Sequence, residues 1–232
     1  MRYRFVDCRW SLDDPGLGRR AYLEAHVPGA VFVDVERELS APAGVGGRHP
    51  LPPVEQFAAA ASRCGIEAGV VVVAYGSMGG AERLWWLLRH FGHDDCAVID
   101  LDAWHGPLRS DEETVEPASF VPRERSDDTI SLDELAARHS ELVVVDARIP
   151  SRWRGEANPI DRVPGRIPGA VNAPWNEPVG ELPNGELVAY CGSGVTAAVV
   201  LHRLELAGRD GRLYPGSWSE WEQRPELPVE RS

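Results

Sequence analysis

The chain has 232 residues, 43% of them hydrophobic and 26% charged, with a formal net charge of −12. This length can bury a sizeable core and holds two small domains, and the composition is ordinary for a globular protein. The acidic balance argues against nucleic acid as a partner, while a local cationic pocket for a small anion stays open; no apolar run approaches membrane-spanning length.

The opening residues, Met1-Arg2-Tyr3-Arg4-Phe5-Val6-Asp7, carry no apolar leader segment. Cys8, Cys64, Cys96 and Cys191 are dispersed, with no CxxC pair and no companion histidines at zinc spacing. These features predict reduced thiols, a cytoplasmic location and no metal or other cofactor.

In chain order, residues 54–64 read as a helix, with a proline just ahead and Gly65 just after. A strand follows at 70–74, then a helix at 81–90 whose Trp85 and Trp86 belong to the core, then a strand at 97–99. Residues 107–128 are rich in Pro, Asp, Glu and Arg without periodicity, and read as a linker with solvated charges. Ser131 and Glu134 form a capping box that opens a surface helix over 131–139. Strands are expected at 142–145 and 187–190, with turns between at 176–186 and a helix-like apolar pattern after 196. Strands alternating with helices predict an α/β fold with mostly parallel sheets.

The chain also repeats itself. Val27-Pro28-Gly29-Ala30-Val31 returns as Ile167-Pro168-Gly169-Ala170-Val171, an offset of 140, and Val6-Asp7-Cys8-Arg9 returns as Val145-Asp146-Ala147-Arg148, an offset of 139. Val72-Val73-Ala74-Tyr75-Gly76 matches Leu187-Val188-Ala189-Tyr190-Cys191 at an offset of only 115. Two duplicated domains, 1–122 and 129–232, explain this if the second has lost about 25 residues, including the helix at 54–64. Part of a sheet face then needs a cover, which predicts a homodimer or a tight domain interface there.

The second copy carries the chemistry. An apolar strand delivers Cys191 to the loop Gly192-Ser193-Gly194-Val195-Thr196-Ala197, and a helix begins directly after it. Loop N–H groups and the helix N-terminus converge on one sulfur and favour its thiolate. In the first copy the matching position is Gly76, so that half lacks the nucleophile. A tyrosine phosphatase needs an arginine six positions after the cysteine, where this chain has Ala197. Dithiol exchange lacks a nearby second cysteine. A Cys–His hydrolase stays open on spacing alone. A persulfide carrier, needing a thiolate, N–H donors and cations for an anionic donor, fits best.

These residues resemble tandem-domain rhodaneses over nearly the full length. The duplicated Pro-Gly-Ala motif, residues 144–148, the 191–197 loop, residues 213–221 and Trp85-Trp86 carry the likeness. It implies two rhodanese-like domains, each a mostly parallel sheet flanked by helices, the second shortened. The CGSGVT loop is most similar to 3-mercaptopyruvate sulfurtransferases; thiosulfate-preferring members carry basic residues after the cysteine, which suit a dianion. The resemblance implies a Cys191 persulfide that passes sulfur to a thiol, cyanide or a thioredoxin-like acceptor. It also implies that Asp34, His49 and Ser193 form a polar relay and that Arg152 binds the carboxylate of a small anionic donor. Gly192, Gly194, Val195 and Thr196 would complete the pocket. The family's second substrate arginine aligns with either Arg162 or Arg166, the latter standing where the family has histidine. The alternatives are a thiosulfate:cyanide sulfurtransferase, a degenerate rhodanese acting as a sulfur-relay or regulatory module, and a peroxide-sensing thiol protein.

Overall fold

Two runs of β-branched and aromatic residues, VVVVAYG in the first half and LVAY in the second, form the innermost strands of two parallel sheets, as nearly unbroken apolar sequences should. The computed structural model describes residues 2–231. The chain divides into two units, one containing everything up to Ala41 together with Leu51–Arg125, the other Pro42–Pro50 together with everything from Ser126 on. The short segment 42–50, read from the sequence as part of the first half, thus belongs to the second unit.

The first unit contains β1 (Arg2–Cys8), α1 (Leu17–Glu24), β2 (Val31–Phe32), α2 (Val54–Arg63), β3 (Val70–Gly76), α3 (Gly80–His90) and β4 (Cys96–Val98). Its sheet runs β2-β1-β3-β4, every pair parallel. Trp85 and Trp86 on α3 are buried in the core. The second unit contains α4 (Leu132–Arg138), β5 (Val143–Asp146), α5 (Pro150–Trp153), β6 (Val171–Asn172), β7 (Leu187–Tyr190), α6 (Ala197–Leu206), β8 (Arg212–Leu213) and α7 (Ser217–Trp221). Its sheet, β6-β5-β7-β8, has the same order and the same parallel sense. Ser131 Oγ accepts from Glu134 N at 3.2 Å and so caps α4.

The repeat is visible atom by atom. Asp7 and Asp146 each accept two side-chain nitrogens of the arginine two residues on, Arg9 and Arg148. Tyr75 and Tyr190, opposite those aspartates in register, use their hydroxyls to accept from Val27 N at 3.3 Å and Ile167 N at 3.2 Å. Each Pro-Gly-Ala turn is therefore tied to the end of the central strand of its own unit.

One departure from the sequence reading has a physical cause. Residues 107–125 are irregular but not a free linker. Phe120 is buried edge-on against Phe57, and backbone bonds from Ala118 N to Ser62 O (2.8 Å) and Arg123 N to Phe91 O (2.9 Å) lay the segment over α2 and α3. Some of its charges are used as well: Glu113 accepts from Gly29 N at 3.2 Å, and Glu112 pairs with Arg19 at 2.8 Å. The site of the lost helix is as the sequence reading has it. Where α2 fills the space between β2 and β3, nothing helical joins β6 to β7. What remains is a cavity of about 610 Å³ between the 176–182 turns and Arg203, Leu204 and Ala207. Arg203 donates to Trp175 O at 2.8 Å, and Arg209 donates to Pro183 O at 2.7 Å, so arginines satisfy carbonyls that a helix would have satisfied internally.

Tyr190→Phe should test the strand-end tie. It leaves Ile167 N–H without its acceptor and takes one donor from the fully buried Asp146 carboxylate, which Arg148 still serves; the hydroxyl now meets them at 3.2 and 2.6 Å. The expected loss is about 1–3 kcal/mol in urea denaturation.

Candidate active site

Because β7 ends at Tyr190, Cys191 leaves the sheet at the carboxyl end of a parallel strand, where α/β proteins place their ligands. The loop then curls back on the sulfur. Gly194 has φ +84, and a Cβ there would lie 2.5 Å from the Pro215 carbonyl oxygen, so only glycine fits. The curl aims two donors at Cys191 Sγ: Gly194 N at 3.1 Å and Ser193 N at 3.4 Å. Fixed N–H dipoles of this kind stabilise negative charge on the atom they face.

α7 holds the loop from the other side. Trp218 N and Ser219 N donate to the carbonyls of Cys191 and Gly192, both at 3.0 Å. Ser217 Oγ accepts from Cys191 N at 3.1 Å and donates to Tyr214 O at 3.0 Å. Ser217 adopts φ +52, a left-handed conformation that a non-glycine residue keeps only under such restraint. Val195 is buried in the core, and Thr196 sits half-buried at the start of α6 without a side-chain cap bond.

Cations reach the loop from two directions. On α5, Arg152 sends Nε and Nη2 to Asp161 at 2.8 and 2.5 Å. Asp161 also accepts from Arg148 and Asn158; although burial pushes its pKa up, Arg152 and Arg148 outweigh that and hold its carboxyl below the usual range. A Cβ on Gly192 would lie 2.8 Å from Arg152 Nη2 and 2.7 Å from Arg48 Nη2. The bare glycine is what lets both guanidiniums lie over the loop. Arg48 and His49 come from the 42–50 segment, which α7 pins: Arg48 N donates to Ser219 Oγ at 2.9 Å, and Gly47, at φ +101, packs against Gly216 O. His49 Nδ1 lies 2.8 Å from Ser193 Oγ, both side chains being nearly buried.

Three further residues were singled out in the sequence, Asp34, Arg162 and Arg166. Asp34 is in the first unit, where Oδ1 accepts from Glu36 N (2.9 Å) and Arg37 N (3.1 Å) in a local turn. Arg162 is exposed. Arg166 pairs with Glu230, donates to Trp153 O at 3.1 Å and stacks on the Trp153 ring at 4.1 Å, so its charge locks the 165–170 turn to residue 230. Conversely, Arg48, Asp161, Ser217 and Ser219 were not anticipated. Arg48 adjoins His49 in a segment the sequence had already marked, and that adjacency was its one available signal.

The description "Rhodanese-like domain" matches residues 131–224. A Mycobacterium tuberculosis protein with the provisional name thiosulfate sulfurtransferase SseB is 39% identical over 261 residues, covering 97% of this chain and 90% of its own. The 3-mercaptopyruvate sulfurtransferase of Escherichia coli K12 is 37% identical over 245 residues, covering 90% and 84%. Among solved structures, the 3-mercaptopyruvate sulfurtransferase of Leishmania major superposes with a TM-score of 0.83 at 28% identity, covering 97% of this chain and 72% of that one. The chain belongs to the rhodanese family of sulfurtransferases.

In this rhodanese the other three cysteines are poorly suited to nucleophilic work. Burial pushes the Cys8 thiol well up, and it raises Cys64 and Cys96 to about 12. Among the described residues no group of three side chains could hold a metal ion, and no helix is long and apolar enough to cross a membrane. Iodoacetamide at pH 7 should therefore alkylate Cys191 first and leave the others intact until the protein unfolds. At a pKa of about 12, roughly one thiol in 100,000 is ionised at that pH. Peptide mass spectrometry reads the result.

Proposed function

We propose that this sulfurtransferase takes sulfur from 3-mercaptopyruvate onto Cys191 and delivers it to a thiophilic acceptor such as cyanide, a small thiol or a thioredoxin-like protein. The observation that carries the reading is the grouping of two N–H donors on Cys191 Sγ with a Ser193–His49 pair two residues along the loop. Sulfur chemistry needs the first feature. A keto-acid donor needs the second.

The Cys191 thiolate attacks the donor sulfur and the donor C–S bond breaks, its electron pair passing to C3 as the enolate of pyruvate. The proton lost from the donor S–H ends on C3, and the Ser193 hydroxyl with His49 Nδ1 carries it across. One anionic thiolate and one mercaptopyruvate thus become one anionic persulfide and one pyruvate. In the second half, the acceptor attacks the outer sulfur and the S–S bond breaks. Its electron pair returns to Cys191 as thiolate, with cyanide leaving as thiocyanate. Arg152, oriented by Asp161, holds the donor carboxylate. Residues 192–196 bring no cationic side chain of their own, which favours the monoanionic keto acid over the thiosulfate dianion. The mycobacterial relative's name keeps thiosulfate as the second reading. Four free cysteines accord with a reducing, cytoplasmic setting.

Sulfur transfer to cyanide, assayed with each donor, tests this. Cys191→Ser should abolish turnover with both donors, and 3-mercaptopyruvate should be the better substrate for the wild type. His49→Gln should separate them. Its kcat should fall about 100-fold with 3-mercaptopyruvate, whose leaving carbon must be protonated, and far less with thiosulfate, whose sulfite leaves as an anion. Equal losses with both donors would remove the proton-carrying role from His49.

A further inference from the structure

The run Val229-Glu230-Arg231 is strapped across the turn at 165–170. Glu230 and Arg166 pair as antiparallel backbone, Arg166 N donating to Glu230 O at 2.9 Å and Glu230 N to Arg166 O at 3.0 Å. The Glu230 carboxylate adds two more bonds to the same turn, accepting from Gly169 N at 2.7 Å and from Arg166 Nη2. The Gly169 N–H is the largest influence on its pKa; with Arg166 it outweighs burial and holds the carboxyl below the usual range. On either side, Arg231 Nε donates to Pro164 O at 2.8 Å, and a Cβ on Gly165 would lie 2.3 Å from Val229 Cγ1.

Three supports of the sulfur site meet on that turn. Ile167 N donates to the hydroxyl of Tyr190, the residue before Cys191. Gly165 O accepts from Arg148, which also reaches Asp161, the partner of Arg152. Ala170 O accepts from Trp153 Nε1 at 2.9 Å, and Trp153 follows Arg152 on α5. The first unit has the same frame without the chemistry. His26 and Arg109 pair as antiparallel backbone at 2.8 and 2.9 Å, Gly29 N donates to Glu113, and Arg9 reaches Ala25 O at 2.6 Å. At the offset of 140, Ala25, His26 and Gly29 are the counterparts of Gly165, Arg166 and Gly169.

We infer that Glu230 is a positioning residue for donor binding: it fixes the 165–170 turn and, through Arg148 and Asp161, holds Arg152 toward the donor carboxylate. This deepens the reading above and rests on its assignment of Arg152. The two carboxylate oxygens grip the turn at Arg166 and at Gly169, so the Gly165 carbonyl keeps its place against Arg148. Released from Glu230, the turn shifts and Arg148 shifts with it. Asp161 and Arg152 then follow, because each is held by the charge before it. A misplacement of about 1 Å, introduced far from the chemistry, costs an enzyme up to about 100-fold. The duplication supplies its own control, since Glu113 holds the matching glycine in a unit that has no nucleophile.

The test uses the full-length protein and variants Glu230→Gln, Glu230→Asp, Glu113→Gln and Arg152→Gln, with circular dichroism and melting temperature confirming folding. Glu230→Gln loses the charge-assisted grip on Arg166 and Gly169. It should raise KM for 3-mercaptopyruvate about fivefold, with kcat and the KM for cyanide held within about twofold. Glu230→Asp keeps the charge but not the reach and should fall between wild type and Glu230→Gln; it carries the test if the glutamine variant does not fold. Glu113→Gln should lower the melting temperature by a similar amount and leave both KM values unchanged, which separates position from general stability. In an Arg152→Gln background, Glu230→Gln should add nothing further to the donor KM, because its effect passes through Arg152. If Arg152→Gln itself leaves the donor KM unchanged, the assignment of Arg152 falls and the inference with it. If Arg152→Gln raises the donor KM but both Glu230 variants leave it unchanged, the inference alone is overturned. Equal rises in Glu113→Gln and Glu230→Gln, or full additivity with Arg152→Gln, would overturn it as well.

Discussion

The surroundings of Cys191 depend on one buried carboxylate. Asp146 ends β5 with no solvent exposure and accepts from Arg148 and from the Tyr190 hydroxyl. Because Tyr190 immediately precedes Cys191, this carboxylate sets where the catalytic strand stops. Arg148 passes the constraint on: it reaches Asp161 at 3.3 Å and Gly165 O at 2.8 Å, and lies 4.8 Å over the Trp218 ring. Asp161 then aims Arg152. Burial costs each of these charges several kcal/mol of hydration, and only the alternation of acid and base makes the chain tolerable. A group of this kind defines positions more than it adds stability, and positions are what an anion site requires.

The first unit shows what such a scaffold does without chemistry. Asp7, Arg9 and Tyr75 repeat the strand-end arrangement, and Cys8 stands opposite Gly76 where the second unit sets Asp146–Ala147 beside Tyr190–Cys191. The loop after Gly76 places Met78 at φ +49 and Gly79 at φ +80 and leads into α3. It has the turn but no thiol. Duplication thus preserved the strand ends, which every copy needs to fold, and let the loops diverge.

Legibility in the sequence followed the range of each interaction. The central strands, α2, α3 and the Cys191 loop were readable because apolar runs, caps and glycines act within a few residues. The shortened second half showed itself through unequal offsets between matching motifs. Helix α1 left no trace, since LGRRAYLE has no side-chain cap and buries only Gly18 and Tyr22. Residues 107–125 were misread because backbone bonds and a single phenylalanine hold them, and neither leaves a periodic pattern. Arg166 was offered as a substrate group from its place in the family's motif, and its pairing with Glu230, 64 positions away, leaves no local signal. Arg48 was passed over for a similar reason: its value comes from Gly192 and Arg152, with which it shares no local motif.

The separation between partners also bears on how the molecule is made. His49 and Ser193 are 144 positions apart, and Arg48 and Ser219 are 171 apart. Bringing such distant points together carries a closure entropy that local contacts do not offset. A ribosome must release α7 before residues 42–50 have the surface that pins them, although those residues emerge well ahead of it. The nascent chain therefore carries this segment as an unfinished loop until α7 follows, and the sulfur site closes only then.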